Sequence, residues 1–448
     1  KDYIGINTIR ARENFTVSSI QIHPELGKSI TAVKKAAALT NQELGLLSAE
    51  KAELIIKACD EIINDRFLDQ FVLDAFQGGA GTSTNMMINE IIANRALELA
   101  GEEKGSYNLI HPNDDVNRGQ STNDVYPTAL RIAILKLLNP LTNSFARLQN
   151  VLQEKEAEFA KIIKLGRTQL QDAVPITLGQ EFAAYAEAVN RDRWRLYKIE
   201  ERLKKINLGG TAVGTGLNTS FKYIHKIARN LRNVTGISLA HAENMIDLTQ
   251  NMDIFVEVSG LIKAAGVNIS KIASDLRLLS SGPVGGIGEI ILPAVQAGSS
   301  IMPGKVNPVI PELMNLISIE VISADHAVTI AARDGQLELN AFTPIIAHKL
   351  LNTISMLTNG INIFINRCIS GIKADPERCQ ELMLKSNAKI TALVPYLGYE
   401  LCSELLVEQK ETTMGLEELI IAKGLLKKSE LEEILSVDQM THPGIKKY

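Results

Sequence analysis

Residues 245–279, MIDLTQNMDIFVEVSGLIKAAGVNISKIASDLRLL, contain the pattern that decides the fold class. Their apolar residues recur every three or four positions, as at Phe255, Val258 and Ile262. This is the spacing of residues on one face of an α-helix, whereas side chains in a strand alternate with a period of two. The stretch therefore predicts one long amphipathic helix.

The same helical spacing recurs in four other segments, residues 141–165, 180–208, 308–333 and 343–369. Helices of about 25 to 35 residues are roughly 38 to 52 Å long at about 1.5 Å per residue, which is more than one compact domain requires. Strand-like alternation is scarce. We therefore expect an all-α chain whose five long helices form an elongated bundle and bury further surface against other subunits.

The helical segments predict three domains along the chain. Residues 1–120 contain shorter helices joined by turns and form an N-terminal helical domain. Residues 121–373 contain the long helices and form the central bundle domain. Residues 374–448 form a small C-terminal helical domain.

The composition excludes several classes of function. The chain has 448 residues, with 47 Lys and Arg against 51 Asp and Glu, which gives a net charge of −4. It has no basic block and only 5% aromatic residues, so it lacks the charged, ring-bearing surface that nucleic-acid binding requires. The uncharged stretch from Leu350 to Asn366 is too short and too rich in asparagine to cross a bilayer. We expect neither a nucleic-acid nor a membrane partner.

The spacing of potential ligands predicts no metal and no cofactor. The four cysteines lie far apart and the seven histidines have no metal-ligand spacing. Five residues separate Gly298 from Gly304, and Val306 follows Lys305, so a P-loop is not formed; nor does a Gly-x-Gly-x-x-Gly motif follow a strand. Unpaired cysteines fit a reducing compartment, so we expect a cytoplasmic protein.

Four polar clusters interrupt the helical pattern. In chain order they are GGAGTSTN at 78–85, QSTND at 120–124, GRTQLQD at 166–172 and GSSIMPGKVNP at 298–308. Helix caps and turns would account for the first two, because Gly, Ser, Thr and Asn are preferred at both. The fourth is too long for a cap, and its Pro308 suits the first position of the next helix. Helix N-termini carry unpaired N–H groups and a partial positive charge, so several of them together with Lys305 would hold an anion such as a dicarboxylate.

In this order along the chain, the four clusters resemble the active-site regions of the aspartase/fumarase superfamily, and residues 298–308 resemble its signature loop. The resemblance covers essentially the whole chain. It is strongest to the aspartate ammonia-lyase branch, through residues 121–124, 169–175, 296–298 and 309–312. Residues 111–117 are closer to the fumarase pattern, Gln169 stands where some aspartases have histidine, and Val284 replaces a common arginine.

The resemblance implies an all-α homotetramer of three-domain chains, whose central helices form one bundle and whose active sites combine residues from three subunits. It implies the reversible conversion of L-aspartate to fumarate and ammonia, without a cofactor or metal. Ser299 would be the base that removes the carbon-bound proton. The implied substrate-binding residues are Thr82, Ser121, Thr122 and Ser300 for the side-chain carboxylate, Lys305 and Asn307 for the α-carboxylate, Asn123, Thr82 and Gln169 for the amine, and Thr168 as a weaker carboxylate contact.

Three alternatives remain open at this point. Fumarate hydratase has the same scaffold and uses water in place of ammonia. A non-catalytic structural protein is disfavoured because Ser299, Lys305, Asn307, Thr122 and Asn123 are all intact. A lyase for a succinyl adduct such as argininosuccinate is disfavoured by the aspartase-like sequence around Gln171 and Val309.

Overall fold

A computed structural model describes residues 2–412 and 414–444, and these residues are mostly helical. This confirms the predicted all-α class. The helices are α1 Ile6–Asn14, α2 Pro24–Glu43, α3 Ala49–Ile63, α4 Thr82–Leu99, α5 Thr122–Glu158, α6 Leu178–Leu203, α7 Phe221–Thr235, α8 Met245–Gln250, α9 Asp253–Leu279, α10 Val309–Arg333, α11 Thr343–Arg367, α12 Pro376–Lys385, α13 Ile390–Leu397, α14 Tyr399–Glu411, α15 Leu416–Ala422, α16 Lys428–Ile434 and α17 Val437–Thr441. The strands are β1 Ile163–Thr168, β2 Gln171–Thr177, β3 Lys205–Ile206, β4 Ala240–His241, β5 Ile290–Ile291 and β6 Lys373–Ala374.

The longest helix, α5, differs from its predicted bounds of 141–165. It has 37 residues and runs through Pro140, although an interior proline removes one hydrogen bond and costs about 3 kcal/mol. Leu138 and Leu141 are buried on the two sides of Pro140, and their packing offsets that cost. The helix ends at Glu158, because the chain beyond it turns into a strand.

The prediction of one helix over 245–279 is wrong at its start. Helix α8 ends at Gln250, and Asn251 has an extended backbone with φ −99° and ψ 131°. Helix α9 then continues as 27 residues, as its apolar spacing predicts. Helix α6 also ends before the predicted residue 208, because the next residues form β3 and pair in parallel with β4.

A β-hairpin, formed by β1 and β2, replaces the end of the first predicted helix. The two strands are antiparallel, and Ile163 pairs with Thr177 at the open end of the hairpin. The ladder is irregular between Leu165 and Arg167, next to Gly166. A side chain at Gly166 would lie 2.5 Å from the carbonyl oxygen of Val174, so the close approach of the two strands requires glycine there.

The chain forms two compact units, each built from three separate segments, and the predicted division into three consecutive domains stays a prediction. The first unit contains Lys1–Ser144, Asp192–Val267 and Leu316–Gly360, and the second contains Phe145–Arg191, Asn268–Asn315 and Ile361–Tyr448.

In the first unit, α2 packs against α3, α4 and α7. The N-terminal helix α1 is attached by Glu90, whose side chain is buried on α4. The Glu90 carboxylate accepts hydrogen bonds from the backbone N–H groups of Gly5, Asn7 and Thr8, at 2.8, 2.9 and 3.1 Å. These bonds satisfy N–H groups that the first turn of a helix leaves unpaired.

In the second unit, the hairpin packs through β1 on α12 and through β2 on α17. Helices α13 to α16 form a separate small core around Leu393, Leu405 and Ile420. The C-terminal region therefore supports the hairpin on one side and carries its own apolar cluster.

Helix α10 is long and apolar enough, by length and composition alone, to cross a membrane. It differs from a lipid-facing helix because it carries Asp325, which accepts hydrogen bonds from Ser259 Oγ at 2.7 Å and Lys263 Nζ at 2.6 Å, both on α9. A core helix of a soluble bundle passes the same composition test. We therefore interpret α10 as a bundle helix.

Candidate active site

Two helix N-termini lie close together in the first unit. Helix α4 begins at Thr82 and α5 at Thr122. Gly81, with φ +89°, lies against the ring of Tyr126, where a side chain would collide with that ring. The start of α4 therefore lies beside the first turns of α5, and the partial positive charges of the two helix N-termini favour an anion there. The predicted site residues in this group are Thr82, Ser121, Thr122 and Asn123.

The segment before α5 is fixed by the carboxylate of Asp124, which is fully buried. Oδ1 of Asp124 accepts from the backbone N–H of Ser121 at 2.9 Å. Oδ2 accepts from the N–H groups of Gly209 and Thr211, at 2.9 and 3.0 Å. Asp124 therefore holds the polar cluster against the 209–211 turn, which follows the end of α6.

A buried lysine lies beneath the same segment. Nζ of Lys34 donates to Oδ1 of Asn117 at 2.7 Å, and that oxygen also accepts from Asn85 and Asn89, at 3.2 Å each. Burial lowers the pKa of Lys34 to about 7, although the Asp124 charge acts to raise it. Burial also raises the pKa of Asp124 to about 6, against its three backbone hydrogen bonds and the Lys34 charge. The charged forms of both groups are therefore costly in this position.

Asn123 is held in one orientation by its neighbours. The side-chain Nδ2 of Asn123 donates to the carbonyl oxygen of Ala212 at 2.7 Å. The backbone carbonyl oxygen of Asn123 accepts from Nδ2 of Asn207 at 3.1 Å. The bond from Nδ2 to Ala212 fixes the plane of the amide, and Oδ1 can accept a hydrogen bond. An acceptor is what an ammonium group requires.

The turn of the β-hairpin carries the next predicted residues, Thr168 and Gln169. Gln169 and Leu170 form a two-residue turn with positive φ angles of 53° and 61°. This is the geometry of a type I′ turn, which favours glycine or asparagine rather than these residues. Backbone strain of this kind is concentrated at functional sites. Thr168 and Gln169 are both exposed at the tip of the hairpin.

Residues 298–307 form a closed loop in the second unit. The backbone N–H of Gly298 donates to the carbonyl oxygen of Lys305 at 2.8 Å, and Nδ2 of Asn307 donates to the carbonyl oxygen of Gly298 at 2.8 Å. A side chain at Gly298 would lie 2.6 Å from the Lys305 oxygen, so this closure requires glycine. Helix α10 begins at Val309, one residue after the predicted first position at Pro308.

Within this loop, Oγ of Ser299 accepts hydrogen bonds from two backbone N–H groups. They belong to Ile301 and Met302, at 3.2 and 3.1 Å. Two N–H dipoles directed at one oxygen stabilise negative charge on it. This arrangement favours ionisation of the Ser299 hydroxyl.

A cavity of about 750 Å³ adjoins the loop. Its lining includes Lys305 and Asn307 from the loop and Arg277, Ser280 and Ser281 from the end of α9 and the residues that follow it. Nη1 of Arg277 donates to Oδ1 of Asn315 at 3.1 Å, which orients the guanidinium group. The cavity is large enough for a small organic acid and has cationic side chains in its wall.

The structure thus brings the predicted residues into three groups. One lies at the starts of α4 and α5 in the first unit, and the others lie in the hairpin turn and in the closed loop of the second unit. Each group is incomplete as a catalytic set, since the candidate base and the helix N-termini belong to different groups.

Comparison with protein families matches residues 1–323 to a family described as lyase, and residues 390–442 to the fumarase C C-terminus. The first match alone covers most of the chain. The chain belongs to the lyase family. This confirms the resemblance that the four polar clusters indicated.

Several relatives named aspartate ammonia-lyase match this chain over nearly its whole length. An aspartate ammonia-lyase of a Bacillus species is 51% identical, over 99% of this chain and 95% of the relative. The aspartate ammonia-lyase of Bacillus subtilis is 46% identical, over 99% of this chain and 93% of the relative. That of Helicobacter pylori is 45% identical, over 98% of this chain and 95% of the relative.

Solved structures show the same fold. A crystal structure of fumarate lyase:delta crystallin from Brucella melitensis bound to cobalt has a TM-score of 0.95 and 47% identity, covering 99% of this chain and 96% of that one. A recombinant class II fumarase from Schistosoma mansoni has a TM-score of 0.91 and 34% identity, covering 97% and 95%.

The buried charges of this lyase were missed in the sequence. Lys34 and Lys35 are adjacent in sequence, but only Lys34 is fully buried. Lys34 lies four residues after Ile30 and three before Ala37, which places it on the apolar face of α2. This spacing was the signal in the sequence that Lys34 is buried. Asp124 lies within a predicted cluster, but it was assigned no role from the sequence.

Proposed function

We propose that this chain catalyses the reversible deamination of L-aspartate to fumarate and ammonia. The observation that carries the proposal is the near full-length match to relatives named aspartate ammonia-lyase, each more similar in sequence than the class II fumarase is. The scaffold alone does not separate the two reactions, because fumarases share it.

The chemical problem is the removal of a weakly acidic proton from the carbon next to the side-chain carboxylate. In this proposal, the Ser299 alkoxide is the base, and its two N–H contacts from Ile301 and Met302 lower the free energy of that anion. A serine hydroxyl without such contacts would be a poor base. The negative charge that develops on the substrate spreads onto the carboxylate oxygens.

Those oxygens need donors that are already in place. The starts of α4 and α5 supply the partial positive charge of two helix N-termini and the hydroxyls of Thr82, Ser121 and Thr122 for the side-chain carboxylate. Lys305 and Asn307 bind the α-carboxylate, since Lys305 supplies a full positive charge next to the candidate base. Ser300 and Thr168 are assigned as further contacts to the side-chain carboxylate.

The amine is bound as a cation and therefore needs acceptors. Asn123 offers Oδ1, and the bond from its Nδ2 to Ala212 fixes the plane of the amide. Gln169 offers its amide oxygen from the hairpin turn, and Thr82 its hydroxyl. None of these groups is a strong acid, and ammonia can leave without one.

The proposal includes a homotetramer in the cytoplasm, with each active site assembled from three subunits. Its support is a row of exposed apolar side chains on one face of α10, Leu316, Ile319 and Ile330, exposed by 64, 63 and 38%. A face of this kind in a soluble bundle marks a protein interface. The buried, unpaired cysteines are compatible with a reducing compartment.

The test is the absorbance of fumarate, recorded with purified protein and either L-aspartate or L-malate. We expect fumarate from aspartate with release of ammonia, and at most slow turnover of malate. Fast conversion of malate with no reaction of aspartate would overturn the proposal in favour of fumarate hydratase.

A further inference from the structure

Four charged side chains form an ion-pair cluster in the second unit, outside the proposed substrate contacts. Glu289 and Lys164 are buried, whereas Arg167 and Glu181 are partly exposed. Glu289 is fully buried, and its Oε2 lies 3.0 Å from Nζ of Lys164. Arg167 contacts both oxygens of Glu289, with Nη1 donating to Oε2 at 3.0 Å and Nη2 lying 3.0 Å from Oε1. Lys164 also pairs with Glu181 at 3.1 Å. The cluster therefore balances two positive and two negative charges.

The cations of the cluster lie on the strand that leads to the hairpin turn. Lys164 and Arg167 are both on β1, and Arg167 is directly followed by Thr168 and Gln169. Arg167 holds Glu289 by one hydrogen bond, from Nη1 to Oε2, and by a second charged contact, from Nη2 to Oε1, so its guanidinium group is restrained in direction as well as in distance. The carboxylate of Glu289 therefore restrains the hairpin immediately before the two residues that the proposed site uses.

Glu289 itself lies at a fixed point upstream of the Ser299 loop. Its N–H donates to the carbonyl oxygen of Leu279 at 2.9 Å, and its carbonyl oxygen accepts from the N–H of Asp375 at 2.9 Å. The next two residues form β5, which pairs with β6. Residues 294–297 are exposed, and the closed loop starts at Gly298. Glu289 is thus among the last anchored residues before the loop that carries the candidate base.

Burial of the Glu289 and Lys164 charges is an expensive way to obtain stability. Replacing such a cluster by apolar residues is often neutral or stabilising, because desolvation cancels most of the attraction. What charged groups do supply is a defined geometry between the segments that carry them. The cluster is therefore suited to orienting the hairpin and the loop.

We propose that Glu289 is a positioning residue that holds residues 163–172 of the hairpin and the 290–307 segment in a fixed relation within each protomer. The inference rests on the proposed function in one respect, since that function makes both segments parts of the active site. Breaking the two-point contact should loosen both segments together, and misplacement of reacting groups by about 1 Å can reduce turnover about 100-fold.

The experiment compares four proteins: wild type, Glu289→Gln, Arg167→Lys and the control Glu187→Gln. Glu187 belongs to an exposed ion pair of the same unit, with Arg191 at 3.8 Å. Arg167→Lys keeps the charge and loses the two-point contact, so it separates geometry from charge balance. Hydrogen–deuterium exchange is measured on peptides from 163–172, 290–307 and the bundle helix α11, and steady-state rates are measured with aspartate.

We expect Glu289→Gln and Arg167→Lys to accelerate exchange in both 163–172 and 290–307 by about tenfold, with α11 unchanged, and to reduce kcat by about tenfold or more. The control should match wild type in every measurement. If Glu289→Gln does not fold, Arg167→Lys alone provides the test.

Faster exchange in only one of the two segments, or a fully active Arg167→Lys enzyme, would overturn the positioning role. If wild type does not convert aspartate, the proposed function fails, and the exchange data still decide whether the two segments are coupled.

Discussion

At the residue scale, the hydroxyl of Ser299 has the most specific environment in the proposed site. Replacing Ser299 by alanine removes the candidate base and leaves Ile301 and Met302 with unpaired N–H groups in an exposed loop. We expect the rate of aspartate deamination to fall by about 10²- to 10⁴-fold, with little change in thermal stability.

The control for this prediction is Ser300→Ala, which removes a neighbouring hydroxyl that the proposal assigns to binding only. It should raise KM for aspartate more than it lowers kcat. Near-normal turnover of Ser299→Ala would exclude serine as the base. Steady-state assays of both variants, with a thermal melt of each, distinguish these results.

The buried Lys34 predicts a dependence of stability on pH. Its pKa in the folded protein is about 7, compared with an ordinary value of 10.5. Between these values, the unfolded chain keeps a proton that the folded protein has released, so stability relative to a Lys34→Met variant rises with pH. From pH 7 to 9.5 we expect the difference to grow by about 3 kcal/mol per protomer. Thermal or urea unfolding of both proteins across this range measures it, and parallel curves would contradict the prediction.

The sequence allowed the polar residues of the site to be predicted, but not the buried charges that support them. Ser299 and Lys305 stand in a cluster too long for a helix cap, and this local property is visible in one dimension. The burial of Lys34 and Glu289 depends on segments that are distant in sequence. Glu289, for example, meets Lys164 and Arg167 on a strand more than a hundred positions earlier. No local pattern specifies such a contact.

At the scale of elements, the type I′ turn of the hairpin holds Gln169 and Leu170 with positive φ. Leu170 is 70% exposed, so its side chain contributes little packing. We expect Leu170→Gly to stabilise the protein by up to about 1 kcal/mol, because glycine adopts this conformation without strain, and to leave aspartate turnover intact. Leu170→Val should destabilise it, since branching at Cβ disfavours positive φ. Melting temperatures of the two variants with opposite signs would support this, whereas equal values would refute it.

The long helices were predictable because each repeats one periodicity over many turns, as α9 does at Phe255, Val258 and Ile262. The hairpin was not, because its strands are short and β1 carries Lys164 and Arg167 at positions that a strand pattern would reserve for apolar residues. Those side chains are accommodated by Glu289 rather than by solvent. The local sequence pattern therefore identified the helices, which bury apolar side chains. It missed the hairpin, whose buried side chains include charged ones.

At the scale of the whole molecule, each group of site residues contains only part of what the reaction needs. The residues that the proposal assigns to the amine lie outside the loop of the candidate base, and the candidate base lies outside the helix N-termini. This distribution is expected if the site is completed by other copies of the chain, as the proposed tetramer requires. Helix length indicated only that the chain buries further surface against other subunits, because helices of about 25 to 35 residues exceed what one compact unit needs. The tetramer with shared sites is implied by the family resemblance.

The exposed face of α10 provides a direct test of assembly. Ile319 lies on that face between Leu316 and Ile330, so Ile319→Glu would place a charge within an apolar contact, where burial of an unpaired carboxylate is strongly unfavourable. The matched control is Val407→Glu, which alters an exposed apolar residue of α14 outside this face. We expect light scattering to give a tetramer for wild type and the control and a smaller species for Ile319→Glu. The smaller species should remain helical and lose at least about 90% of aspartate turnover, because its sites are incomplete. A tetrameric Ile319→Glu protein, or a dissociated one that keeps full activity, would show that this face does not assemble the active site.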